Sequence, residues 1–586
     1  MKKIYLLTAL LFAGMCANAQ FYQHTYGTTN GEGRGQGVNT FATGQGHIVA
    51  APTWNTSTTT QDILVVNTDV NGNVNAFNNT YSLIHSSGVT LTAQNTIPIE
   101  FSNGSGYGIF GLFYDPSGTA LPGIYYLEID AAGNVVNTTE YNPAGTGRYV
   151  VEVADVTESL GGGDFYITGT IDPVVTGGSF WIFVLKIDQA GNIIWSTIPD
   201  IINPSTTSSR DWAKGIVESP YMPTGNQEVV VVGQTYANGG SSDAFFLRLD
   251  ATSGAALASP LIYGTTSTFE VFDCIKISNN AASGGPGFII GGTTDANGSS
   301  SNRDFWLMQT DDQGNPYWSY TYDYNGGSGN WDNSTDVIER LNQSGFYEYY
   351  LGGLTGSGNL GGTDLVVQKI DDVGNSVAEF TYGSGADDIG TSLDYFDGTG
   401  NDGLSVFGTF NGGAVGSTDA YQVQAYFNGL SGCNESFSTS SAVSAPGIIT
   451  KYNIRPRISL TNVGMFATNS TANDGNLCFA TSIAGGSNAR LAPAEPKGDK
   501  EAIVSPNPMN QGSPVAMVEL EAETPATVEI AVYDMLGKQY VSGSHTLVKG
   551  INQLPVDLST ANMAAGMYTV KITGINISKN ILLIIK

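Results

Sequence analysis

Asp304-Phe-Trp-Leu-Met-Gln-Thr-Asp311-Asp-Gln-Gly314-Asn-Pro-Tyr-Trp318-Ser-Tyr-Thr-Tyr322 is the stretch that decides the fold. Two aromatic-rich runs, each of strand length, flank Asp-x-x-Gly-Asn. The Asp side chain bonds the backbone ahead of it, and Gly accepts the positive φ of a tight turn, so the whole is a hairpin. The same Asp-x-x-Gly recurs at Asp69, Asp130, Asp188 and Asp371, and one residue longer at Asp250 with Gly254, at spacings of 58 to 62 residues. A degraded copy keeps Gly429 but carries Tyr426 in place of Asp.

Working outward, each hairpin is led by an apolar run such as Asp62-Ile-Leu-Val-Val66, Phe180-Trp-Ile-Phe-Val-Leu185 or Asp364-Leu-Val-Val367. Its second arm tends to end on Tyr-Gly or a relic of it, at Tyr81, Tyr141, Tyr263, Tyr322 and Tyr382. Upstream lies a strand ending in small residues, as in Phe165–Gly169, Val229–Gly233 and Phe288–Gly292, and a less regular strand before that. Four strands in about 60 residues is the size of a propeller blade, whereas a sandwich domain needs about seven strands and 100 residues. The expected fold is all-β: a β-propeller followed by a small C-terminal β-sandwich. Residues Tyr22–Gly27 match the strand ending Glu379–Gly383, so the chain begins on a fourth strand that lacks partners of its own. Gly464–Ala467 resembles a second strand and Leu477–Ala480 a third. Eight blades, the last completed by the N-terminal strand, are therefore expected; the alternative is seven, with 430–490 as an appendage. Residues 21–485 also resemble bacterial β-propeller repeat proteins of varied role, a resemblance that bears on fold alone.

Both ends carry addresses. Met1-Lys2-Lys3, an apolar run Ile4–Met15 and Ala17-Asn-Ala19 form a secretory signal peptide, with cleavage expected after Ala19. The run is short for a membrane span, and no later stretch resembles one. The expected division is 1–19 signal peptide, 20–483 propeller, 484–502 linker and 503–586 terminal domain. That last region reads Pro506-Asn507-Pro508, Tyr533-Asp-Met-Leu-Gly537-Lys, Gly550-Ile-Asn, Asp557-Leu-Ser, Gly566-Met-Tyr568 and a final Lys586. In that order the motifs resemble the type IX (type A) secretion sorting domain of Bacteroidetes. The resemblance implies recognition by an outer-membrane translocon, passage through the periplasm, and release from the cell or attachment to surface polysaccharide. Pro506, Asn507, Pro508, Gly537, Gly566, Tyr568 and Lys586 fall on the signature positions.

Chemistry is harder to place. A net charge of −29 repels nucleic acid and anionic lipid, which argues against both as partners. Outside the signal stand three cysteines; Cys433 and Cys478 flank an irregular stretch and are a possible disulfide, leaving Cys274 over. His24, His47, His85 and His545 are too scattered in sequence for a triad or zinc site, and no HExxH, GxSxG or P-loop pattern occurs. Carboxylates are plentiful, yet Asp387 would serve a glycosidase as well as Asp388, so no catalytic pair emerges. The loops at Asp69–Asn75, Asp295–Gly298 and Asp397–Gly403 are rich in oxygen, but none has the order of a calcium loop. No cofactor is expected, with Ca2+ the one ion weighed. Trp181, Trp195, Trp306 and Trp318 fall on strand columns and are expected in the core. Trp54, Trp212 and Trp331 lie at loops beside Asn, Asp and Arg and are the candidates for a binding face. Three functions remain: a secreted or surface-attached, noncatalytic binder of glycan or protein; a polysaccharide hydrolase or lyase; and a structural coat component. Three carboxylates with an Arg or Tyr in one funnel favour the enzyme, and an aromatic groove favours binding.

Overall fold

The computed structural model describes residues 22–478 and 503–585, apart from short stretches within them. The signal peptide and its cleavage site, Cys433, residues 397–402, Pro506, Asn507, Pro508, Gly537 and Lys586 lie outside the described residues. The chain divides into two compact units, 1–487 and 488–586. Both are all-β, with no helix among the described residues.

In the first unit seven four-stranded antiparallel arrangements, sheets I to VII, follow one another along the chain. Sheet IV is typical: opening strand Asp211–Ser219, second strand Glu228–Thr235, third strand Asp243–Asp250 and closing strand Leu261–Tyr263. Sheets I, II and III open at Gln36–Thr40, Ile97–Glu100 and Tyr149–Glu158; sheets V, VI and VII open at Glu270–Ser278, Asp332–Leu341 and Ile389–Phe396. Second and third strands are buried on both sides, as in Gly287–Thr294, where every residue is covered. That explains their continuous apolar runs. Cores form between successive sheets: Phe272, Phe288 and Trp306 of sheet V pack on Val230, Val232 and Phe246 of sheet IV. Trp181, Trp195 and Trp306 are buried and Trp318 half-buried. The opening strands touch in succession from sheet II to sheet VII, and that of sheet I touches those of sheets II and VII.

The hairpin reading holds in atomic detail. Asp371 Oδ1 accepts the N–H groups of Val373 and Asn375 at 3.1 and 2.7 Å, and Gly374 takes φ 91°. Tyr426 and Gly429 close the same turn through backbone bonds, with no Asp in place and Asn428 Oδ1 accepting the Leu430 N–H at 3.2 Å.

The tyrosine column has a partner in the next sheet. Tyr81 donates its hydroxyl to the Gly133 carbonyl, Tyr141 to Gly191, Tyr263 to Gly314, Tyr322 to Gly374 and Tyr382 to Gly429, all at 2.5 to 2.8 Å. Each closing strand is thus latched to the following hairpin. Sheet III lacks the Tyr and uses Trp195, whose Nε1 donates to Ala251 at 3.0 Å.

Sheet VII is completed by Tyr22–Gly27, which pairs with Thr418–Ala425, and Tyr26 latches onto Gly72 of sheet I at 2.6 Å. The N-terminal strand therefore serves as a fourth strand, but not in a sheet built from 430–490. No eighth four-stranded sheet occurs among the described residues. Glu435–Ser438, Ala442–Ser444 and Ile449–Lys451 add to the closing strands of sheets VI, V and IV. Asn453–Pro456 pairs with Pro199–Ile202, which follows sheet III; Leu460–Thr471 joins sheets II and I; and Asn473–Cys478 pairs with Tyr22–Gly27. The physical reason is that this segment has no Asp-x-x-Gly hairpin to fold on itself, so its backbone satisfies the open edges of sheets already formed.

The second unit stacks a three-stranded on a four-stranded sheet. Val518, Leu520, Leu554 and Val556 of one meet Val528, Ile530, Val570, Ile572 and Leu583 of the other. Tyr568 is buried here, its hydroxyl donating to the Ala564 carbonyl at 2.8 Å.

Candidate functional site

The opening strands carry the site, because five of them are bulged at one place. Register slips at Val153/Asp155, Ala213/Gly215, Phe272/Cys274, Ser334/Asp336 and Gly390/Ser392 leave Ala154, Lys214, Asp273, Thr335 and Thr391 unpaired. A bulge re-aims the extra residue out of the ladder. All five line a cavity of about 650 Å³ and also a narrower one of about 150 Å³ beyond it.

Charge in the larger cavity is balanced locally, unlike the protein as a whole. Glu152 receives the Lys214 ammonium at 2.7 and 2.9 Å. Asp273 Oδ2 accepts hydroxyl bonds from Thr293 at 2.7 Å and Ser334 at 2.9 Å. Loss of hydration nevertheless raises Asp273 to about 6, against those bonds and the nearby Lys214 charge. Asp155 in the narrower cavity is also raised to about 6, chiefly by desolvation, although Ile216 donates its N–H at 2.9 Å. Lys276 sits 3.4 Å from Asp336, whose negative charge is the main cause holding its ammonium above the usual lysine range.

The larger cavity is also lined by Arg34, Arg303, Phe269, Trp331, Leu354 and Asp387, of which Arg34, Trp331 and Asp387 are exposed and form its outer rim. Arg303 lies over the Phe269 ring at 4.1 Å, and Trp331 is 42% exposed. Gly356 leaves room for that indole, since a Cβ there would stand 2.8 Å from Trp331 Nε1. Asp387 is exposed on the rim while Asp388 is buried, which separates two residues that the sequence leaves equivalent.

Of the tryptophan candidates, Trp331 alone lines the cavity. Trp54 is exposed on the second strand of sheet I, beside the opening end of its neighbour. Trp212 is half-buried between Phe180 at 4.8 Å and Tyr236 at 5.6 Å. Sequence inspection missed Arg34, Glu152, Lys214, Asp273 and Arg303. For Lys214 and Asp273 the signal was a repeat column, since Ala154, Lys214, Asp273, Thr335 and Thr391 recur at nearly the hairpin spacing. His24 and His47, distant in sequence, both flank Tyr22, at ring separations of 4.9 and 6.4 Å. Burial lowers His47 to about 3, so it is a neutral core residue bonded to Asn39 at 2.9 Å. Cys274 is a buried free thiol.

Residues 504–586 match the family described as the secretion system C-terminal sorting domain. That domain supports export by the type IX secretion system, to the cell surface or beyond it, and implies interaction with that system. No helix among the described residues is long and apolar enough to cross a membrane. Comparison with curated proteins finds no match. Two solved structures are similar to the chain at low identity. One is dimeric latent PorU from Porphyromonas gingivalis, at 10% identity and TM-score 0.13, covering 97% of this chain and 34% of that one. The other is native alpha-2-macroglobulin from E. coli, at 9% identity and TM-score 0.13, covering 97% and 35%. The chain spans about a third of their length, and scores that low carry no argument about fold or function.

Proposed function

We propose that this is an exported, noncatalytic glycan-binding protein whose sheets I to VII are the blades of a seven-bladed β-propeller, with the 650 Å³ cavity as its binding mouth. Residues 1–19 are its cleaved signal, 20–483 the propeller, 484–502 a linker and 503–586 the address read by the translocon. Support for a closed ring comes from the junction of sheets VII and I. Asp394 accepts the Asn39 N–H at 2.9 Å, Ser392 bonds Gly37 in both directions, and Tyr26 latches onto Gly72.

The single observation that carries the binding reading is Trp331, exposed on the rim with Arg303 and Phe269 beside it. An indole face over a polar cavity suits a sugar ring, which offers C–H groups on one face and hydroxyls at its edge. Arg34, Lys214 and Arg303 also make this the place where a neutral or acidic glycan can approach a protein of charge −29 without repulsion. On a glycan array, residues 20–586 should bind a defined set, and Trp331→Ala should weaken the best hit about tenfold or more, as loss of a buried aromatic anchor does. Trp54→Ala should change it less than twofold. Equal binding by Trp331→Ala would sink the mouth assignment.

A second reading is favoured by three carboxylates sharing that mouth with two arginines. Asp273, raised to about 6, suits a general acid in a polysaccharide hydrolase or lyase. Release of reducing ends from an array hit, abolished by Asp273→Asn, would replace the noncatalytic reading.

A further inference from the structure

Paired carboxylates recur where one sheet meets the next, none of them among the residues that line the cavity. At the IV–V junction, Asp243 heads the third strand of sheet IV and Glu270 the opening strand of sheet V. Their oxygens lie 2.5 and 2.8 Å from where a Cβ on Gly264 would sit. At the VI–VII junction Asp364 and Asp388 approach Gly383 in the same way, at 2.7 and 2.8 Å. At the VII–I junction Asp419 and Glu32 crowd Gly27. In every case the glycine is the one that follows the latch tyrosine, and the acids are at most 5% exposed.

Two observations point past a mere acidic cluster. Glu32 Oε1 accepts Thr28 N–H at 2.6 Å and Thr53 hydroxyl at 2.8 Å, but its buried Oε2, aimed with Asp419 at the space over Gly27, has no hydrogen-bond partner. At the V–VI junction the glycine is replaced by Asp323, which adds a third carboxylate to Asp304 and Asp332. One oxygen from each of the three lies within 4.8 Å of the others. A buried pair can share one proton, but adding a third negative group opposes itself unless a cation lies between.

The geometry points to a divalent-cation site repeated at these four junctions, taking Ca2+, with Asp304, Asp323 and Asp332 as its tightest member. A set of three protein carboxylates suits Ca2+, which takes about six to eight oxygens in flexible geometry, whereas Mg2+ keeps several waters and is bound through one or two carboxylates. The junctions of sheets I–II and III–IV carry a single acid, Asp62 and Asp211, and II–III has Gly123 and Val150 in the two positions; Asp211 is met by Thr235 hydroxyl at 2.6 Å and Ile201 N–H at 3.0 Å. The ion would join consecutive sheets, so binding should stabilise the whole unit.

The test uses residues 20–586, stripped with chelator and titrated with CaCl2 at pH 8 to about 10 mM, roughly ten times the weakest dissociation constant of extracellular calcium modules. Calorimetry should show binding, and the melting temperature should rise with Ca2+, rise less with Mg2+ and fall again with EGTA. Asp323→Gly installs the residue that the other junctions carry. It should abolish the tightest binding step and leave the weaker ones, with Asp323→Asn as the check should the glycine variant fold poorly. Hairpin Asp130→Asn should titrate as the unaltered protein does. Absence of any Ca2+ response overturns the proposal in favour of shared protons. An equal Mg2+ response, or Asp323 variants that titrate normally, overturns the assignment of ion or site.

Discussion

The third strand of sheet V carries an Asp at each end, and the two live in different worlds. At the hairpin end Asp311 accepts N–H groups from Gln313 and Asn315 at 2.9 and 2.7 Å and the Asn315 amide at 2.7 Å. At the other end Asp304, seven residues back and 1% exposed, faces Asp332 across a sheet junction. Of the hairpin carboxylates, Asp250 is stabilised in its charged form, held below the usual range by the hydroxyl and N–H of Ser253. Of the junction carboxylates, Asp388 and Glu32 are driven the other way, with burial as the main cause, and Glu32 is raised to about 7. One residue type thus marks a local turn at one end and a long-range junction at the other, and the surrounding donors decide which.

The largest break in that comparison should come from pH. Glu32 has a folded-state value above its unfolded value of 4.5, so the folded protein binds the extra proton between about 4.5 and 7. Its contribution is fully present below that window and is lost as pH rises through about 7. In EGTA, urea unfolding at pH 5 and pH 8 should show stability falling by about 2 to 3 kcal/mol from this group, the equivalent of its shift. Glu32→Gln should remove that share of the slope. An unchanged slope would mean that burial does not raise Glu32. Hairpin Asp250 has the opposite sign, its stability being lost only as pH falls below the ordinary carboxylate range.

Next in size is the latch that ties the two ends together, since each tyrosine hydroxyl reaches a hairpin glycine of the following sheet. Tyr263→Phe and Tyr322→Phe each remove a donor from a buried carbonyl and keep the ring. Each should cost about 1 to 2 kcal/mol in urea unfolding. Losses below a few tenths would show that the ring packing, and not the hydroxyl, explains the column.

How much of this the sequence displays follows from the range of each interaction. Hairpins were legible because Asp371, Gly374 and Asn375 make their bonds among themselves. The tyrosine column was visible at Tyr263 and Tyr322, but its partner was not, because Gly314 and Gly374 lie some fifty residues on, in the neighbouring sheet. Residues 435–478 misled for another reason. Gly464–Ala467 resembles a second strand in composition, yet its backbone pairs with Thr139 and with His85–Leu83, and backbone pairing leaves no side-chain signature. The mouth was least legible. Lys214 and Asp273 point inward only because a bulge breaks strand alternation there, and two-residue periodicity hides such a residue. Trp331 stood out because an indole beside a loop needs a reason, whereas Trp212 met the ordinary one, aromatic packing.

The smallest effect is expected at the hairpins themselves, and sheet VII explains why. Its turn has Tyr426 where the Asp should be, yet Gly429 N–H still reaches the Tyr426 carbonyl at 2.8 Å and Tyr426 N–H the Leu430 carbonyl at 2.9 Å. The backbone bonds and the positive φ of glycine therefore form the turn, and the carboxylate only adds to it. Asp371→Ala removes bonds to Val373 and Asn375 that water can replace at a solvent-facing turn, so it should cost only about 0.5 to 1 kcal/mol. Gly374→Ala should cost more, because φ 91° is strained for any residue with a Cβ and that atom would strike Tyr320 at 2.5 Å. Measured side by side in urea, the glycine variant must be the less stable of the two. The reverse order would mean that the aspartate builds the turn, and the carboxylates at the two ends of the strand would then differ less than their surroundings imply.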